Sequence, residues 1–264
     1  MTEKNYIDYL VSLEPAFDRG AKLALAMQKD VVVHKKLNTG IAEVDIVTES
    51  DIMVQESVLA EVLNTSLAGC RLFAEESTPS VSKFKGTNGY LLTLDPIDGT
   101  AIYVRGGSLF SIIVTLFHGN RIIYSYFNYP AVGWSRRMTA KGIVDFGTLP
   151  QLPLLSNIDG PRTIAYTIGN PKEAAPEIYN ELISKGYVFR QRSELVQNAG
   201  SSILFYLKKV AGYYIDHPQI YDGLGVYQFA QVQKIKLLSE NIDLAHFVRG
   251  PYGFCYPGWY LAMW

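Results

Sequence analysis

Two aspartates stand three residues apart at the end of an apolar run, in the sequence YLLTLDPIDGT at residues 90–100. Asp-Pro and Asp-Gly are common turn dipeptides, so an ordinary turn is one interpretation. A cation site is the other, because carboxylates that are brought together repel one another until a divalent cation neutralises them. Mg²⁺ prefers oxygen ligands and keeps positions open for water and phosphate. Asp95 and Asp98 are therefore candidate metal ligands, and their spacing alone leaves both interpretations open.

The backbone around the two aspartates could bring them together. We predict a strand over residues 90–95 that ends at Pro96, which fixes the exit of the chain. The turn that follows would swing Asp98 back toward Asp95.

Three further groups in the same motif could complete a site. The Ile97 carbonyl lies between the two aspartates in the chain and could be an additional oxygen ligand. Gly99 and Thr100 would expose backbone N–H groups at the start of the next segment, where a phosphate oxyanion binds favourably.

Other acidic residues stand at the ends of other predicted elements. Glu75 and Glu76 close a short predicted strand in GCRLFAEES, and Asp222 lies in YDGLG near the start of a predicted helix. A single acidic strand end is usually a turn, but several of them together suit a hard divalent cation.

Composition and motif content exclude several classes of function. The net charge of −1 gives no reason to expect a nucleic acid polymer or an anionic membrane as partner. No apolar segment approaches the roughly 20 residues of a membrane helix. The two cysteines form no CxxC motif, so we expect a reducing, cytoplasmic location. Isolated histidines and the absence of GxGxxG, GxxxxGK[ST] and GxSxG argue against zinc, dinucleotide, P-loop and serine-hydrolase sites.

The first part of the chain is predicted to mix helices with antiparallel strands. Residues 6–33 have helical periodicity, with a break or a start at Pro15. A second helix should begin at a capping box formed by Thr48 and Asp51, which places Asp45 just outside its N-terminus. The sequence LFSIIVTLF-HGN-RIIYSYFNY predicts a hairpin, and WSRRMTAKG predicts a further strand.

The second part of the chain follows the α/β pattern. A Pro- and Gly-rich stretch near residue 150 suggests a seam, so we predict an N-terminal half over residues 1–150 and a C-terminal half over residues 151–264. Beyond the seam, predicted strands alternate with predicted helices, including SSILFYLKKVAG and YDGLGVYQFAQVQKI. The tail VRGPYGFCYPGWYLAMW is aromatic and is expected to be a buried or intersubunit plug.

The motifs occur in an order that points to a known family: the chain resembles the inositol monophosphatase superfamily of metal-dependent, lithium-sensitive phosphatases. DPIDGT at residues 95–100 matches the family signature letter for letter. VDIVTESD at 44–51 matches its Asp-x-Val-Thr-x-x-Asp element, and FAEES at 73–77 matches its Gly-Glu-Glu-Ser element with alanine for glycine. Residues 199–212 resemble its Gly-Ser/Thr helix, and YDGLG at 221–225 loosely resembles its Trp-Asp element.

The resemblance assigns roles to individual residues. The metal ligands that it implies are Glu75, Asp95, the Ile97 carbonyl, Asp98 and Asp222. Asp45 and Thr100 would orient and deprotonate the attacking water, and Glu75 is placed with them as a catalytic residue. The substrate contacts that it implies are Asp98, Gly99, Thr100, Ser201, Ser202 and Asp222. Glu76 would bind a weaker metal or support the other ligands.

The same resemblance implies a fold and an activity. The expected fold is α+β with an α/β half, a layered αβαβα sandwich of the inositol monophosphatase / sugar phosphatase type. Its first half would hold an antiparallel sheet and most metal ligands, and its second half would supply Asp222 and substrate contacts. The expected activity is hydrolysis of a small phosphorylated metabolite, with two or three Mg²⁺ ions and a metal-activated water. A homodimer is expected.

The chain departs from the family pattern where the substrate would bind. Seven residues before Asp222, inositol phosphatases carry a glutamate that binds the ring, and this chain has Ile215. Asp216 could replace that glutamate only if the local register shifted. Two other substrates stay open: GSSILFY resembles 3′-phosphoadenosine phosphatases, and Tyr221 before Asp222 resembles the histidinol-phosphatase branch. A non-catalytic relative that binds metal or ligand is a further alternative.

Overall fold

The computed structural model describes residues 2–35, 46–152, 154–155, 158–195, 201–240, 242–250 and 253–264. The chain divides into two compact units, Met1–Thr148 and Leu149–Trp264. Among the described residues, no helix has the length and apolar composition that crossing a membrane requires.

The first unit combines three helices with eight strands in the part of the chain that the structure describes. The helices are α1 (Glu3–Met27), α2 (Glu49–Leu63) and α3 (Thr100–Val104). The strands are β1 (Val33–Lys35), β2 (Ile46–Thr48), β3 (Arg71–Ala74), β4 (Tyr90–Asp98), β5 (Ser111–His118), β6 (Ile122–Tyr129), β7 (Trp134–Thr139) and β8 (Gly142–Gly147).

A six-stranded sheet forms the centre of this unit, in the order β3-β4-β5-β6-β7-β8. β3 and β4 run parallel, and every other neighbouring pair is antiparallel. The predicted hairpin is confirmed as β5 and β6, and the strand predicted after it is confirmed as β7. Apolar side chains of α1 and α2 pack with those of the sheet in one core, which includes Phe17, Val58 and Val114. Burial of this apolar surface is the main force that fixes β4 in the middle of the unit.

The predicted break at Pro15 is wrong, because α1 continues through it from Glu3 to Met27. Proline inside a helix removes one backbone hydrogen bond and costs about 3 kcal/mol. Leu10, Leu13 and Phe17 are buried on either side of it, and burying a large apolar side chain contributes about 1.5–3 kcal/mol. Three such side chains outweigh the cost of the proline, so the helix continues through it. The helix ends at Met27 rather than at the predicted residue 33.

The capping box predicted for the second helix is confirmed at the start of α2. Asp51 N–H donates to Thr48 Oγ1 at 3.3 Å, and Thr48 N–H donates to Asp51 Oδ2 at 2.7 Å. Both residues are buried. The box satisfies two backbone donors that the helix itself cannot pair, and it fixes where α2 begins.

The second unit is an α/β arrangement in the part that the structure describes. Its helices are α4 (Pro171–Ala174), α5 (Pro176–Ser184), α6 (Ser201–Tyr206) and α7 (Gly225–Gln233). Its strands are β9 (Thr163–Tyr166), β10 (Val188–Gln191), β11 (Gly212–Asp216), β12 (Lys236–Glu240), β13 (Val248–Gly250), β14 (Gly253–Cys255) and β15 (Trp259–Met263). Five strands form one sheet in the order β10-β9-β11-β15-β12, with β10, β9 and β11 parallel.

The last part of the aromatic tail is a strand inside this sheet, whereas β13 and β14, earlier in the tail, pair only with each other among the described strands. β15 pairs antiparallel with β11 on one side and with β12 on the other, and all five of its residues are buried. Its aromatic side chains therefore belong to the core of the second unit. The expectation of a buried segment is met for β15 but not for β13, which is largely exposed.

Candidate active site

The strand that carries the two aspartates does not end at Pro96, contrary to the sequence prediction. β4 extends to Asp98 and pairs with β5 from Tyr90 to Asp95 and again at Asp98. Asp95 lies opposite Ile113 and Asp98 opposite Ser111, so three steps along β4 match two steps along β5. One extra residue is thus accommodated as a β-bulge, a place where proline is tolerated because a bulge leaves a backbone N–H unpaired.

The bulge brings the two carboxylates together. In a regular strand, residues three apart point to opposite faces, because side chains alternate with a period of two. One extra residue reverses that alternation, and a carboxylate oxygen of Asp95 lies within 4.8 Å of one of Asp98. Asp95 is only 4% exposed. Asp98 is half-buried, and two like charges at this distance repel each other, so a cation between them would remove the repulsion.

Local hydrogen bonds hold the backbone of the bulge. Ile97 N–H donates to Asp95 Oδ1 at 3.0 Å, and Thr100 Oγ1–H donates to the Ile97 carbonyl oxygen at 3.2 Å. Gly99 has φ of +86°, a conformation in which a side chain would be strained, and it caps the helix that begins at Thr100. The motif therefore places the Thr100 hydroxyl directly beside the Ile97 carbonyl.

Ser111 is a site residue that the sequence analysis missed. Its hydroxyl donates to Asp98 Oδ2 at 2.9 Å, and the residue is completely buried. A hydrogen bond to a carboxylate favours the charged form and fixes its orientation. Because Ser111 is 13 residues from Asp98 in the chain, only the pairing of β4 with β5 reveals the contact.

The Glu75-Glu76 pair lies at the matching end of the neighbouring strand. Ala74 pairs with Leu94 in the parallel ladder of β3 and β4, and Glu75 N–H donates to the Leu94 carbonyl at 3.0 Å. Glu75 is therefore level with Asp95, which follows Leu94, at adjacent carboxyl ends of two parallel strands. Its side chain is half-buried, and that of Glu76 is buried.

Helix α3, which begins at Thr100, is held in place by polar contacts from α1 and α2. Tyr103 donates its hydroxyl to the Ala24 carbonyl at 2.7 Å, and this hydroxyl lies 2.9 Å from Ser50 Oγ. Burial raises the pKa of the Tyr103 phenol, so it stays protonated and can donate. Gln28 Nε2 donates to the Tyr103 carbonyl at 3.0 Å.

Asp222 lies in the second unit, in the turn before α7, and is half-buried. The residue after it must be glycine, because a Cβ on Gly223 would lie 2.6 Å from the backbone nitrogen of Gln219. The Gly223 carbonyl accepts a hydrogen bond from Tyr260 Oη at 2.7 Å, which anchors the turn to β15. Glycine at position 223 thus has a local packing reason.

Three other predicted site residues are only partly described. Asp45 lies outside the described residues. Ser201 is the first residue of α6, but its side chain is not among those that the structure describes, and Ser202 next to it is half-buried. The described first unit brings together Asp95, Asp98 and the Ile97–Thr100 segment. Glu75 lies on the adjacent strand end, but its carboxylate is outside the group whose oxygens lie within 4.8 Å of one another.

The sequence profile of the Inositol monophosphatase family matches residues 9–217 of this chain. The chain belongs to the inositol monophosphatase family. The match includes the DPIDGT motif and the Glu75-Glu76 pair, but Asp222 lies beyond it.

A curated relative supports the same assignment over a shorter segment. The chain is 32% identical over 96 residues to inositol monophosphatase 2 of Homo sapiens, and the mouse protein matches to the same extent. The aligned segment covers 35% of this chain and 33% of the human protein. The chain thus matches about a third of the length of its curated relatives.

Solved structures of the family are similar over nearly the whole chain. An IMPase/NADP phosphatase complexed with NADP and Ca²⁺ has a TM-score of 0.67 at 17% identity, covering 100% of this chain and 92% of that one. An IMPase/NADP phosphatase complexed with Mg²⁺ and phosphate has a TM-score of 0.65 at 17% identity, covering 98% and 90%. A staphylococcal inositol monophosphatase-1 soaked in LiCl has a TM-score of 0.64 at 16% identity, covering 100% and 91%. The predicted α+β fold of the inositol monophosphatase type is confirmed.

Ile215, which departs from the family pattern, lies within strand β11. Ile215 is 3% exposed and pairs with Tyr260 in an uninterrupted register from Gly212 to Asp216. Adjacent residues of a strand point to opposite faces, so Asp216 does not occupy the place of Ile215. Asp216 Oδ1 and His217 Nδ1 lie 2.8 Å apart, within hydrogen-bond distance. The pairing of β11 with β15 has no bulge between Gly212 and Asp216 that would bring Asp216 to the face of Ile215.

Proposed function

We propose that this chain is a Mg²⁺-dependent phosphomonoesterase that hydrolyses a small phosphorylated metabolite by attack of a water molecule. Membership of the inositol monophosphatase family supports phosphatase activity. The single observation that carries the proposal is the β4 bulge, which places buried Asp95 within 4.8 Å of Asp98. This arrangement is unfavourable for a protein with no cation to bind there.

The donor set fits magnesium. Carboxylate and carbonyl oxygens are the hard ligands that Mg²⁺ takes, and the described donors in this segment are all oxygens. We propose as its ligands Glu75, Asp95, the Ile97 carbonyl, Asp98 and Asp222. The inclusion of Asp222, and the number of ions as two or three, rest on the resemblance of the sequence motifs. When bound, Mg²⁺ would neutralise charge on the phosphate and lower the pKa of a water molecule.

The protein groups of the motif have separate tasks in this proposal. The Thr100 hydroxyl donates its proton to the Ile97 carbonyl, so its oxygen remains an acceptor that can orient a water molecule. We propose that Asp45 accepts the proton of that water, with Glu75 as a further catalytic carboxylate. The Gly99 and Thr100 backbone, together with Asp98, Ser201, Ser202 and Asp222, would contact the substrate. Phosphoryl transfer needs positioning and charge neutralisation, so no nucleophilic serine or cysteine is required.

The residue at position 215 bears on which phosphate ester the protein prefers. An isoleucine at position 215 cannot accept a hydrogen bond from a ring hydroxyl, and loss of such a polar partner changes discrimination steeply. We therefore propose to compare hydrolysis rates on a panel of substrates: inositol phosphates, sugar bisphosphates, histidinol phosphate, 3′-phosphoadenosine phosphate and NADP. The ratio of kcat/KM values across the panel identifies the class of leaving group.

One assay tests the proposal directly: hydrolysis of an aryl phosphate in the presence of Mg²⁺ and in the presence of a chelator. Asp95→Asn should abolish turnover, because it removes a charged ligand and keeps the shape of the side chain. Asp30→Asn is the matched control, since Asp30 is exposed at the end of the segment after α1 and should leave the rate unchanged. Equal, negligible rates with Mg²⁺ and with chelator would favour a non-catalytic relative that kept the fold.

Two further properties are expected from the resemblance. Lithium should inhibit turnover, and insensitivity at high concentration would separate this chain from the lithium-sensitive relatives while leaving the metal mechanism in place. A homodimer is also expected, and light scattering of the purified protein would measure its mass.

A further inference from the structure

Gln55 of α2 is a fully buried polar residue that contacts the loop carrying Glu75 and Glu76. Its Nε2 group donates to the Glu76 carbonyl at 2.7 Å and to Thr78 Oγ1 at 2.9 Å. Its Oε1 atom accepts from Glu76 N–H at 3.1 Å. The residue has 0% exposure, so these three hydrogen bonds take the place of water.

The contacts require an amide at this position. Gln55 accepts from the Glu76 N–H and donates to both the Glu76 carbonyl and Thr78 Oγ1, and an amide supplies two donors and an acceptor at once whereas a carboxylic acid has a single donor. An ionised carboxylate would set an oxygen against the Glu76 carbonyl oxygen. A hydrocarbon side chain would leave both backbone groups of Glu76 buried and unpaired, which is unfavourable.

These contacts fix the backbone on one side of Glu75, and the sheet fixes it on the other. Glu75 N–H is bonded to the Leu94 carbonyl, and the residue after Glu75 is held at both its N–H and its carbonyl by Gln55. The Glu75 carboxylate therefore projects from a segment with little freedom to move along β4. A metal ligand must be held in this way, because its orientation sets the affinity.

We propose that Gln55 is a positioning residue of the metal site: it holds the Glu75-Glu76 backbone level with Asp95 so that Glu75 can share a cation with that carboxylate. The inference rests on the proposed function, since it assumes that Mg²⁺ binds at this end of β4. It assigns Gln55 a role in metal affinity that its burial in the helix interface alone would not require.

The neighbouring residue of α2 offers a matched control. Glu56 accepts from Ser80 N–H at 3.0 Å and from Ser80 Oγ at 2.7 Å, farther along the same loop. Burial raises the pKa of Glu56, but hydrogen bonds from Thr78 and Ser80 outweigh it and hold this pKa below its ordinary value. Glu56 thus anchors the loop as a charged acceptor without contacting the Glu75-Glu76 backbone.

The experiment compares Gln55→Met, Gln55→Asn and Glu56→Met with the wild-type full chain. Calorimetric titration with MgCl₂ in the absence of substrate gives the affinity, and aryl phosphate hydrolysis at varied Mg²⁺ gives the half-saturating concentration and kcat. Gln55→Met should weaken Mg²⁺ binding by about 10- to 100-fold, the usual effect of removing a partner that orients a ligand. Saturating Mg²⁺ should restore most of kcat. Glu56→Met should bind Mg²⁺ as the wild type does.

Each outcome has a defined meaning. If the wild type binds no Mg²⁺, the proposed function fails, whatever the variants do. If the wild type binds and Gln55→Met binds equally well, the positioning role of Gln55 is wrong. Equal weakening by Gln55→Met and Glu56→Met also overturns it, because loop anchoring in general would then be the cause. If Gln55→Met does not fold, Gln55→Asn, which keeps a neutral amide but is one methylene too short to make both Glu76 contacts, decides by the same criteria.

Discussion

Replacing Asp95 by asparagine should make the metal-free protein more stable and the magnesium-loaded protein less stable than the wild type. The substitution keeps an oxygen at Oδ1, which accepts the hydrogen bond from Ile97 N–H, so the backbone of the bulge is retained. It removes one of two carboxylate charges that lie within 4.8 Å of each other. Asp95→Ala lacks the acceptor as well and should lose stability under both conditions.

The size of the effect follows from the distance between the charges. At 4.8 Å and an effective dielectric constant of about 20, the repulsion between two unit charges is roughly 3 kcal/mol. The Ser111 hydroxyl donates to Asp98 and offsets part of this repulsion in the wild type. We therefore expect Asp95→Asn to raise the free energy of unfolding by about 1–3 kcal/mol without metal. Each kcal/mol corresponds to a rise in Tm of roughly 2–4 °C.

Magnesium should reverse the order of stability. Binding to the native state alone stabilises the wild type by about 2.7 kcal/mol when Mg²⁺ is at 100 times its Kd. The variant lacks a charged ligand and should gain little. Calorimetric unfolding scans in chelator and in MgCl₂ measure both quantities. A variant that is less stable in chelator, and that gains as much from Mg²⁺ as the wild type, would refute the repulsion between Asp95 and Asp98 and the metal site together.

Two further predictions concern contacts that hold the first unit together. The hydrogen bond from His118, aided by Arg121, lowers the pKa of Glu3 below 4.5, so its stabilising contribution is present above pH 4.5 and is lost as the pH falls through the lowered value. Urea unfolding should show Glu3→Gln less stable by under about 1 kcal/mol at neutral pH and equal to wild type in acid; a constant difference at all pH values would contradict this. Tyr103→Phe removes the donor to the Ala24 carbonyl and should cost about 1–3 kcal/mol in the same assay, and a negligible change would show that water replaces the contact.

The features that sequence predicts correctly here depend on neighbours in the chain. The capping box at Thr48 and Asp51 involves residues three apart, and the turn between β5 and β6 joins strands that follow one another. The prediction of a helix break at Pro15 rests on that residue alone. It is wrong because the buried side chains of α1 stabilise the helix by more than the proline destabilises it. Local propensity is decisive only where tertiary packing does not oppose it.

The bulge in β4 could not be predicted, although the residues that need it were recognised. Whether Asp95 and Asp98 share a face depends on how many residues of β5 lie opposite them, and that number is set by pairing between strands. Pro96 is consistent with a strand end and with a bulge alike. The metal-ligand interpretation, which requires the two carboxylates to converge, predicted the geometry of the motif better than the turn propensity of Asp-Pro and Asp-Gly did.

Gln55 shows what a sequence signal can and cannot supply. It lies on the buried stripe of α2 with Val58 and Val62, where a polar side chain is out of place unless it is hydrogen-bonded. That mismatch predicts a buried partner for Gln55, but not which one, because Glu76 is 21 residues away. A polar residue on an apolar helix face therefore indicates that its side chain is hydrogen-bonded to a buried group elsewhere in the chain, here the Glu76 backbone. In this family member the constrained backbone is the one that bears a proposed metal ligand, which is why a change of a single amide on α2 should be measurable as a change in magnesium affinity.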